Sequence, residues 1–180
     1  MMISLTGFMG CGKSSVGRKL SELLCCNYVD LDSVIETREG RSIPEIFTAD
    51  GEAAFRSMEL DALKSVISEN PQTTVLSLGG GTIMTPECAI LVHNHTHCIY
   101  LRADIDTLVN NLKDEADGRP MLQGDAQPHT SDQEKINHLR SRIETLMEQR
   151  STIYENTAHI IIDTDGKSID SISEEVLSKL

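Results

Sequence analysis

The chain has 180 residues, of which 39% are apolar and 24% charged, a composition typical of a globular protein with one hydrophobic core. Its formal net charge of −12 argues against nucleic acid and anionic membranes as partners, since both require a basic surface. No apolar run reaches the length of a membrane helix, and five cysteines without a C-x-x-C pair argue against disulfides and a zinc site. The N-terminus does not resemble a signal peptide, so we expect a single cytoplasmic domain over residues 1–180.

Hydrophobic periodicity predicts strands that alternate with helices. The predicted strands cover residues 3–6, 27–31, 74–78, 97–101 and 159–163. The predicted helices cover residues 13–24, 33–38, 43–47, about 50–68, 86–93, 104–112, 134–154 and 169–180. This alternation favours a parallel sheet covered on both faces, with ligands at the carboxyl ends of its strands.

Residues 113–133 do not fit either pattern, because they are polar and rich in Gly, Pro and Asp. The segment is too long for a simple connection between two helices. We expect it to form a mobile lid, in which Arg119 is a positive charge within an acidic stretch.

The segment G-F-M-G-C-G-K-S-S, residues 7–15, follows the first predicted strand and leads into the first predicted helix. In this position the glycines let backbone N–H groups surround phosphate oxygens at the helix N-terminus. The lysine can reach the β- and γ-phosphates, and the first serine can bind Mg²⁺. The segment predicts a site for ATP or GTP. Its predicted binding residues are Gly10, Cys11, Gly12, Lys13, Ser14 and Ser15.

The segment V-D-L-D ends the second predicted strand and places Asp30 and Asp32 two residues apart. Their side chains should therefore share a face beside the phosphate loop. One carboxylate can hold a metal ion, and the other can orient an attacking hydroxyl and accept its proton. The alternative for Asp32 is that it caps the helix that follows.

Two further features suggest a second substrate. Gly79, Gly80 and Gly81 follow the third predicted strand, where their N–H groups can bind an anionic or hydroxylated acceptor; a sharp turn is the alternative. Arg56 and Glu59 are three residues apart on a predicted helix, so the carboxylate can direct the guanidinium into a pocket. A solvent-exposed ion pair is the alternative for these two residues.

His93, His95 and His97 form the pattern H-N-H-T-H, which suggests metal ligands. Apart from Cys98, no carboxylate or thiolate accompanies them at the spacing of a metal site. We therefore expect a loop between a helix and a strand at this position.

In their order and spacing, the segments GFMGCGKSS, VDLD, FRSME, LSLGGG, GRPML and QRSTIY resemble those of the shikimate kinase family. The resemblance covers essentially the whole chain. It implies a three-layer α/β/α P-loop kinase fold with a five-stranded parallel sheet of order 2-3-1-4-5. It also implies transfer of the γ-phosphate of ATP, with Mg²⁺, to the 3-hydroxyl of shikimate in aromatic amino-acid biosynthesis. A monomer is our default expectation for the oligomeric state.

The same resemblance implies roles for individual residues. Ser14 and Asp30 lie on the Mg²⁺ side, and Asp32 orients or deprotonates the acceptor hydroxyl. Lys13 and Arg119 are the other two catalytic residues. Arg119 belongs to a lid at residues 113–133 that closes over ATP. Helices at about residues 32–60 bind shikimate. The residues implied to hold shikimate are Asp32, Arg56, Gly79, Gly80, Gly81 and Arg150.

Three other functions remain open from the sequence. The first is a kinase of the same fold acting on a nucleoside monophosphate or on gluconate. The second is a GTPase-like switch, which is disfavoured because N-K-x-D, and D-x-x-G after the third strand, are both missing. The third is a kinase-like module that binds nucleotide without turnover, which is disfavoured because Lys13, Asp32 and Arg119 are all present.

Overall fold

The computed structural model describes residues 1–70, 72–114, 122 and 131–180, so that Arg119 and most of the predicted lid lie outside the described residues. The strands are β1 (Met2–Thr6), β2 (Asn27–Asp30), β3 (Thr74–Ser77), β4 (His97–Arg102) and β5 (Ile160–Asp163). The helices are α1 (Lys13–Leu23), α2 (Leu31–Glu39), α3 (Ile43–Glu69), α4 (Pro86–His95), α5 (Ile105–Leu112), α6 (Asp132–Thr157) and α7 (Ile169–Lys179). A short 3-10 helix covers Thr82–Met84.

The strands pair in parallel within one sheet of order β2-β3-β1-β4-β5, which confirms the predicted fold class and strand order. Strand β1 lies at the centre, where Leu5 is in register with Ser77 on one side and Ile99 on the other. Because the strands run in one direction, the segments that follow β1, β2 and β3 meet at the same edge of the sheet. These segments carry the predicted site residues.

Alternate strand residues face two apolar clusters, which give the three layers. Ile3 and Leu5 pack on one face with Val16 and Leu20 of α1, and residues of α5, α6 and α7 complete this cluster. Leu76 faces the other side, which α2, α3 and α4 cover. The Ser4 and Thr6 side chains share the other face of β1 with Met2, and all three residues are buried. Strand β1 therefore lies between two packed layers, as is typical of a central parallel strand.

Helix α3 joins the two helices predicted at residues 43–47 and about 50–68, with a break at Gly51 (φ 84°, ψ 172°). Ser42 starts the helix with a capping box: its hydroxyl accepts from the Glu45 N–H, and the Glu45 carboxylate accepts from the Ser42 N–H. The break brings residues on both sides of it, including Phe47 and Phe55, to one cavity.

The loop predicted between the helix ending at about His93 and the strand beginning at His97 is shorter than predicted. Helix α4 continues through His95, and β4 begins at His97, so that Thr96 alone separates the two elements. Leu31 likewise begins α2 instead of ending β2. Among the described helices, none is both long and apolar enough to cross a membrane.

Candidate active site

The phosphate loop connects β1 to α1 at the carboxyl end of the central strand. Gly12 precedes α1 with φ 94°, a left-handed conformation that favours glycine. The Lys13 ammonium donates to the carbonyl oxygens of Gly7 and Phe8, both at 2.9 Å. A helix N-terminus with open N–H groups and an adjacent lysine is suited to bind an anion.

A cavity of about 370 Å³ lies above this loop. It brings together nine predicted residues: Gly10, Gly12, Lys13, Ser14, Ser15, Asp30, Asp32, Gly79 and Gly80. The Cys11 side chain is placed elsewhere. It is only 5% exposed and packs in the apolar cluster beneath the loop, so the thiol does not line the cavity.

The Asp30 carboxylate organises one wall of this cavity. Its Oδ2 accepts from the hydroxyls of Ser14 (3.2 Å) and Tyr28 (3.1 Å), and its Oδ1 accepts from the N–H of Ser33 (3.3 Å). The last contact caps helix α2. The alternative of a cap by Asp32 is therefore wrong, because Asp30 is the capping residue.

Asp32 lies in the first turn of α2 and lines both cavities of the site. Burial, followed by the negative charges of Asp30 and Glu59, raises the pKa of Asp32 to about 6, although Lys13 acts in the opposite direction. A carboxylate with this pKa is a stronger base than a solvent-exposed one, so it is suited to accept a proton near neutral pH.

The second cavity, of about 280 Å³, adjoins the first. Its wall is apolar on one side, where the Phe47 and Phe55 rings lie 4.8 Å apart between centroids, and polar on the other. The polar groups are Asp32, Glu36, Arg56, Glu59, Arg150 and the backbone of Gly79, Gly80 and Gly81. Such a cavity suits a small ring-shaped ligand that carries a negative charge.

Arg56 is oriented by a buried carboxylate. Its Nη1 donates to Glu59 Oε2 at 2.7 Å, and Glu59 is 1% exposed. The Thr82 hydroxyl donates to the other oxygen, Oε1, at 2.6 Å. The alternative of a solvent-exposed pair is excluded by this burial, and the guanidinium is fixed at the cavity wall.

The glycine turn leaves room for the charged side chains around it. A Cβ atom on Gly79 would lie 2.8 Å from Asp32 Oδ1, and a Cβ atom on Gly81 would lie 2.6 Å from Arg56 Nη2. Both distances are too short for real contacts, so any larger residue would displace Asp32 or Arg56.

Helix α6 supplies Arg150, which is 4% exposed and lies over the Phe8 ring at 5.7 Å. Its Nη1 is 3.4 Å from the Gly80 carbonyl oxygen, to which the Tyr154 hydroxyl also donates a hydrogen bond. Arg150 on α6 and Arg56 on α3 thus both line the second cavity, and two guanidinium groups face one small volume.

Sequence reasoning assigned no role to four residues that shape the site: Tyr28, Thr82, Asn111 and Tyr154. Tyr28 precedes Asp30 by two residues in a strand, and this spacing alone predicts a shared face. The other three act over long separations. The Asn111 amide, for example, donates to the Gly10 carbonyl at 2.9 Å across 101 residues, and no local pattern signals such a contact.

The histidines do not form a metal site. Within the described ranges, no group of three or more His, Cys, Asp or Glu side chains is arranged to hold a metal ion. Instead, the His159 ring stacks between His93 and His97, with centroid distances of 4.6 and 5.3 Å. The stack lies where β4 and β5 begin, at the opposite edge of the sheet from the two cavities.

The sheet order, with a phosphate loop between β1 and α1 and a second cavity beside it, defines a P-loop kinase fold. The sequence profile described as shikimate kinase matches residues 9–180. The chain belongs to the shikimate kinase family.

Three known proteins illustrate the similarity. A shikimate kinase of Thermus thermophilus is 39% identical over 178 residues, which cover 99% of this chain and 89% of that protein. The structure of shikimate kinase from Acinetobacter baumannii in complex with shikimate has a TM-score of 0.87 at 28% identity, and the match covers 99% of this chain and 91% of that one. A gluconokinase from Sinorhizobium meliloti, with a TM-score of 0.56 at 17% identity over 98% of this chain and 89% of that one, shares the fold alone.

Proposed function

We propose that this protein transfers the γ-phosphate of ATP to the 3-hydroxyl of shikimate. The observation that carries the proposal is that the phosphate-loop cavity and the second cavity meet at Asp32, Gly79 and Gly80, which line both. A donor in the first cavity and an acceptor in the second would face each other beside a carboxylate of raised pKa. Membership of the shikimate kinase family supports shikimate as the acceptor.

The second cavity provides complementary groups for shikimate, a cyclic carboxylic acid with ring hydroxyls. Arg56 and Arg150 would bind the carboxylate through charge-assisted hydrogen bonds. The N–H groups of Gly80 and Gly81 would bind oxygen atoms of the acceptor, and the Phe47 side of the cavity would cover the apolar part of its ring.

The phosphate loop would bind ATP through its N–H groups, Lys13 and Ser15. Ser14 and Asp30 would hold Mg²⁺, since their oxygens line this cavity 3.2 Å apart and oxygen donors are the ligands that Mg²⁺ prefers. When bound, Mg²⁺ neutralises charge on the phosphates. Arg119, in the predicted lid, is proposed to act on ATP from above.

Asp32 would orient the 3-hydroxyl for in-line attack on the γ-phosphorus and accept its proton. Transfer passes through a loose transition state with little bond formation to the incoming oxygen. Positioning of the hydroxyl is therefore the larger part of the contribution of Asp32, and proton acceptance follows as the new P–O bond forms.

The arrangement of the chain as a single kinase domain is also proposed, on the support of two apolar clusters that cover the faces of one sheet. The monomeric state and the cytoplasmic location stay predictions from the sequence.

A coupled assay of ADP release with Mg·ATP tests the proposed function. Shikimate, gluconate, AMP and CMP are compared at equal concentrations, with a sample lacking acceptor as the control for ATP hydrolysis. We expect turnover on the order of 1–100 s⁻¹ with shikimate and only background with the other three. Turnover that favours another acceptor, or background with all four, would overturn the proposal.

A further inference from the structure

The Gly80 carbonyl is held from beneath the site by a residue that does not line either cavity. Tyr154, on α6, is completely buried, and its hydroxyl donates to the Gly80 oxygen across 74 residues of sequence. Its ring stacks on the buried ring of Tyr100, with centroids 5.0 Å apart. The phenol therefore has a fixed position relative to the sheet.

The orientation of one carbonyl determines the orientation of the next N–H group. The Gly80 carbonyl and the Gly81 N–H belong to one peptide unit, which is planar and, as throughout the described chain, trans. The two groups point in opposite directions, so a carbonyl directed to Tyr154 turns the Gly81 N–H away from that buried side. Gly81 lines the second cavity, and no atom of the described chain accepts a hydrogen bond from its N–H.

The three glycines have no side chains that could anchor this turn. Backbone N–H groups of Thr82 and Met84 donate to the carbonyls of Gly79 and Gly81, whereas the Gly80 carbonyl is held by side chains of α6. Arg150 also contacts the Gly80 oxygen, but at 3.4 Å, and its guanidinium lines the cavity, where it would be shared with a ligand. Burial raises the pKa of the Tyr154 phenol, so the hydroxyl stays protonated and remains a donor throughout the working pH range.

We propose that Tyr154 is a positioning residue for the acceptor, which fixes the Gly80–Gly81 peptide so that the Gly81 N–H is presented to the substrate in the second cavity. This inference rests on the proposed function for the identity of the acceptor, but the orientation of the peptide does not depend on which acceptor binds.

The test compares Tyr154→Phe with Tyr100→Phe. Both variants keep the stacked rings and lose one hydroxyl, but the Tyr100 hydroxyl has no hydrogen-bond partner among the described residues and Tyr100 lines a different cavity. We expect Tyr154→Phe to raise KM for shikimate about 3- to 10-fold, the range of one hydrogen bond. Its kcat and its KM for ATP should change less than about twofold, and Tyr100→Phe should match the wild type in all three.

An NMR measurement without substrates separates this inference from the proposed function. The Gly81 amide resonance should move in Tyr154→Phe and stay in place in Tyr100→Phe, because the hydrogen bond on the preceding carbonyl is lost only in the former. This result would support the inference even if shikimate were not the acceptor. An unmoved Gly81 resonance, an unchanged KM for shikimate in an enzyme that uses it, equal effects of the two variants, or a Tyr154→Phe protein that does not fold would each overturn it.

Discussion

At the scale of single residues, the ionised Asp32 carboxylate lowers the stability of the folded protein, although its ionisation suits the proposed reaction. Its pKa is raised to about 6 in the folded protein, with burial as the main cause, whereas an aspartate in an unfolded chain has a pKa of about 3.9. Between these two values the folded state binds more protons than the unfolded state. The stability of the fold therefore decreases as the pH rises through this window, and the loss is complete above about pH 6.

Asp32→Asn should consequently stabilise the protein at pH 7, by about 1–3 kcal/mol for a pKa difference of about two units. The gain should shrink as the pH is lowered and vanish below about pH 3, where Asp32 is protonated in both states. Urea unfolding without nucleotide or divalent cation measures it. Asp61→Asn, at an exposed position of α3, is the control and should give no gain. A variant that is less stable than the wild type at pH 7 would contradict the account of Asp32.

Gly81 and Gly40 allow two effects of a glycine to be tested separately. One is the room that the missing Cβ leaves for neighbouring atoms, and the other is the backbone conformation that glycine permits. Gly81 has an ordinary φ of −112°, but an added Cβ would lie 2.6 Å from Arg56 Nη2. Gly40 ends α2 with φ 64°, and an added Cβ would have no atom within 4 Å.

Gly81→Ala should therefore raise KM for shikimate about tenfold or more, because the displaced guanidinium loses a charge-assisted hydrogen bond to the substrate. Gly40→Ala should cost about 1–2 kcal/mol of stability and leave KM unchanged. Steady-state kinetics and thermal unfolding of both variants measure these effects. Equal changes of KM and of thermal stability in the two variants would show that the room beside Gly81 is not needed to position Arg56.

At the scale of secondary-structure elements, the histidine stack joins α4, β4 and β5 at the edge of the sheet opposite the site. His159 Nδ1 accepts a hydrogen bond from the Cys98 N–H at 3.0 Å, so this nitrogen carries no proton. Partial burial, together with the charges of His93 and His97, lowers the pKa of His159. The folded state thus binds fewer protons at this residue than the unfolded state.

A lowered histidine pKa gives stability that is present above the unfolded value of about 6.5 and is lost as the pH falls below it. The free energy of unfolding of the wild type should therefore decrease from pH 7 to pH 5 more steeply than that of His159→Asn, whose amide oxygen can accept the same hydrogen bond without titrating. His95→Asn, outside the stack, should follow the wild type. Parallel pH profiles of wild type and His159→Asn would contradict this expectation.

At the scale of the whole molecule, the fold could be predicted from sequence wherever a signal is local. The P-loop between a strand and a helix, the Ser42–Glu45 capping box and the break at Gly51 each depend on residues within a few positions of one another. The alternation of strands with helices along the chain predicted a parallel sheet covered on both faces, and this gave the class of the fold. The order of the strands came from the family resemblance, since pairing between distant strands leaves no mark in a single sequence.

For the site too, the sequence predicted local features and missed contacts between distant residues. Asp32, Arg56 and the glycine turn could be named because their residue types and spacing suit phosphate transfer. The way in which they are held could not, since the Thr82 bond to Glu59 and the Tyr154 bond to Gly80 join residues 23 and 74 positions apart. The choice of Asp30 as helix cap depended on a two-residue difference between the predicted and the observed start of α2, and sequence patterns do not locate helix ends more precisely than this.

The turnover of Asp32→Asn with Mg·ATP and shikimate shows whether Asp32 acts on the acceptor. If Asp32 acts on the acceptor hydroxyl where the two cavities meet, kcat should fall by about 10²- to 10⁴-fold, while KM for ATP stays within a few-fold of the wild-type value because Lys13 and the phosphate loop are unchanged. A kcat close to that of the wild type would contradict the account.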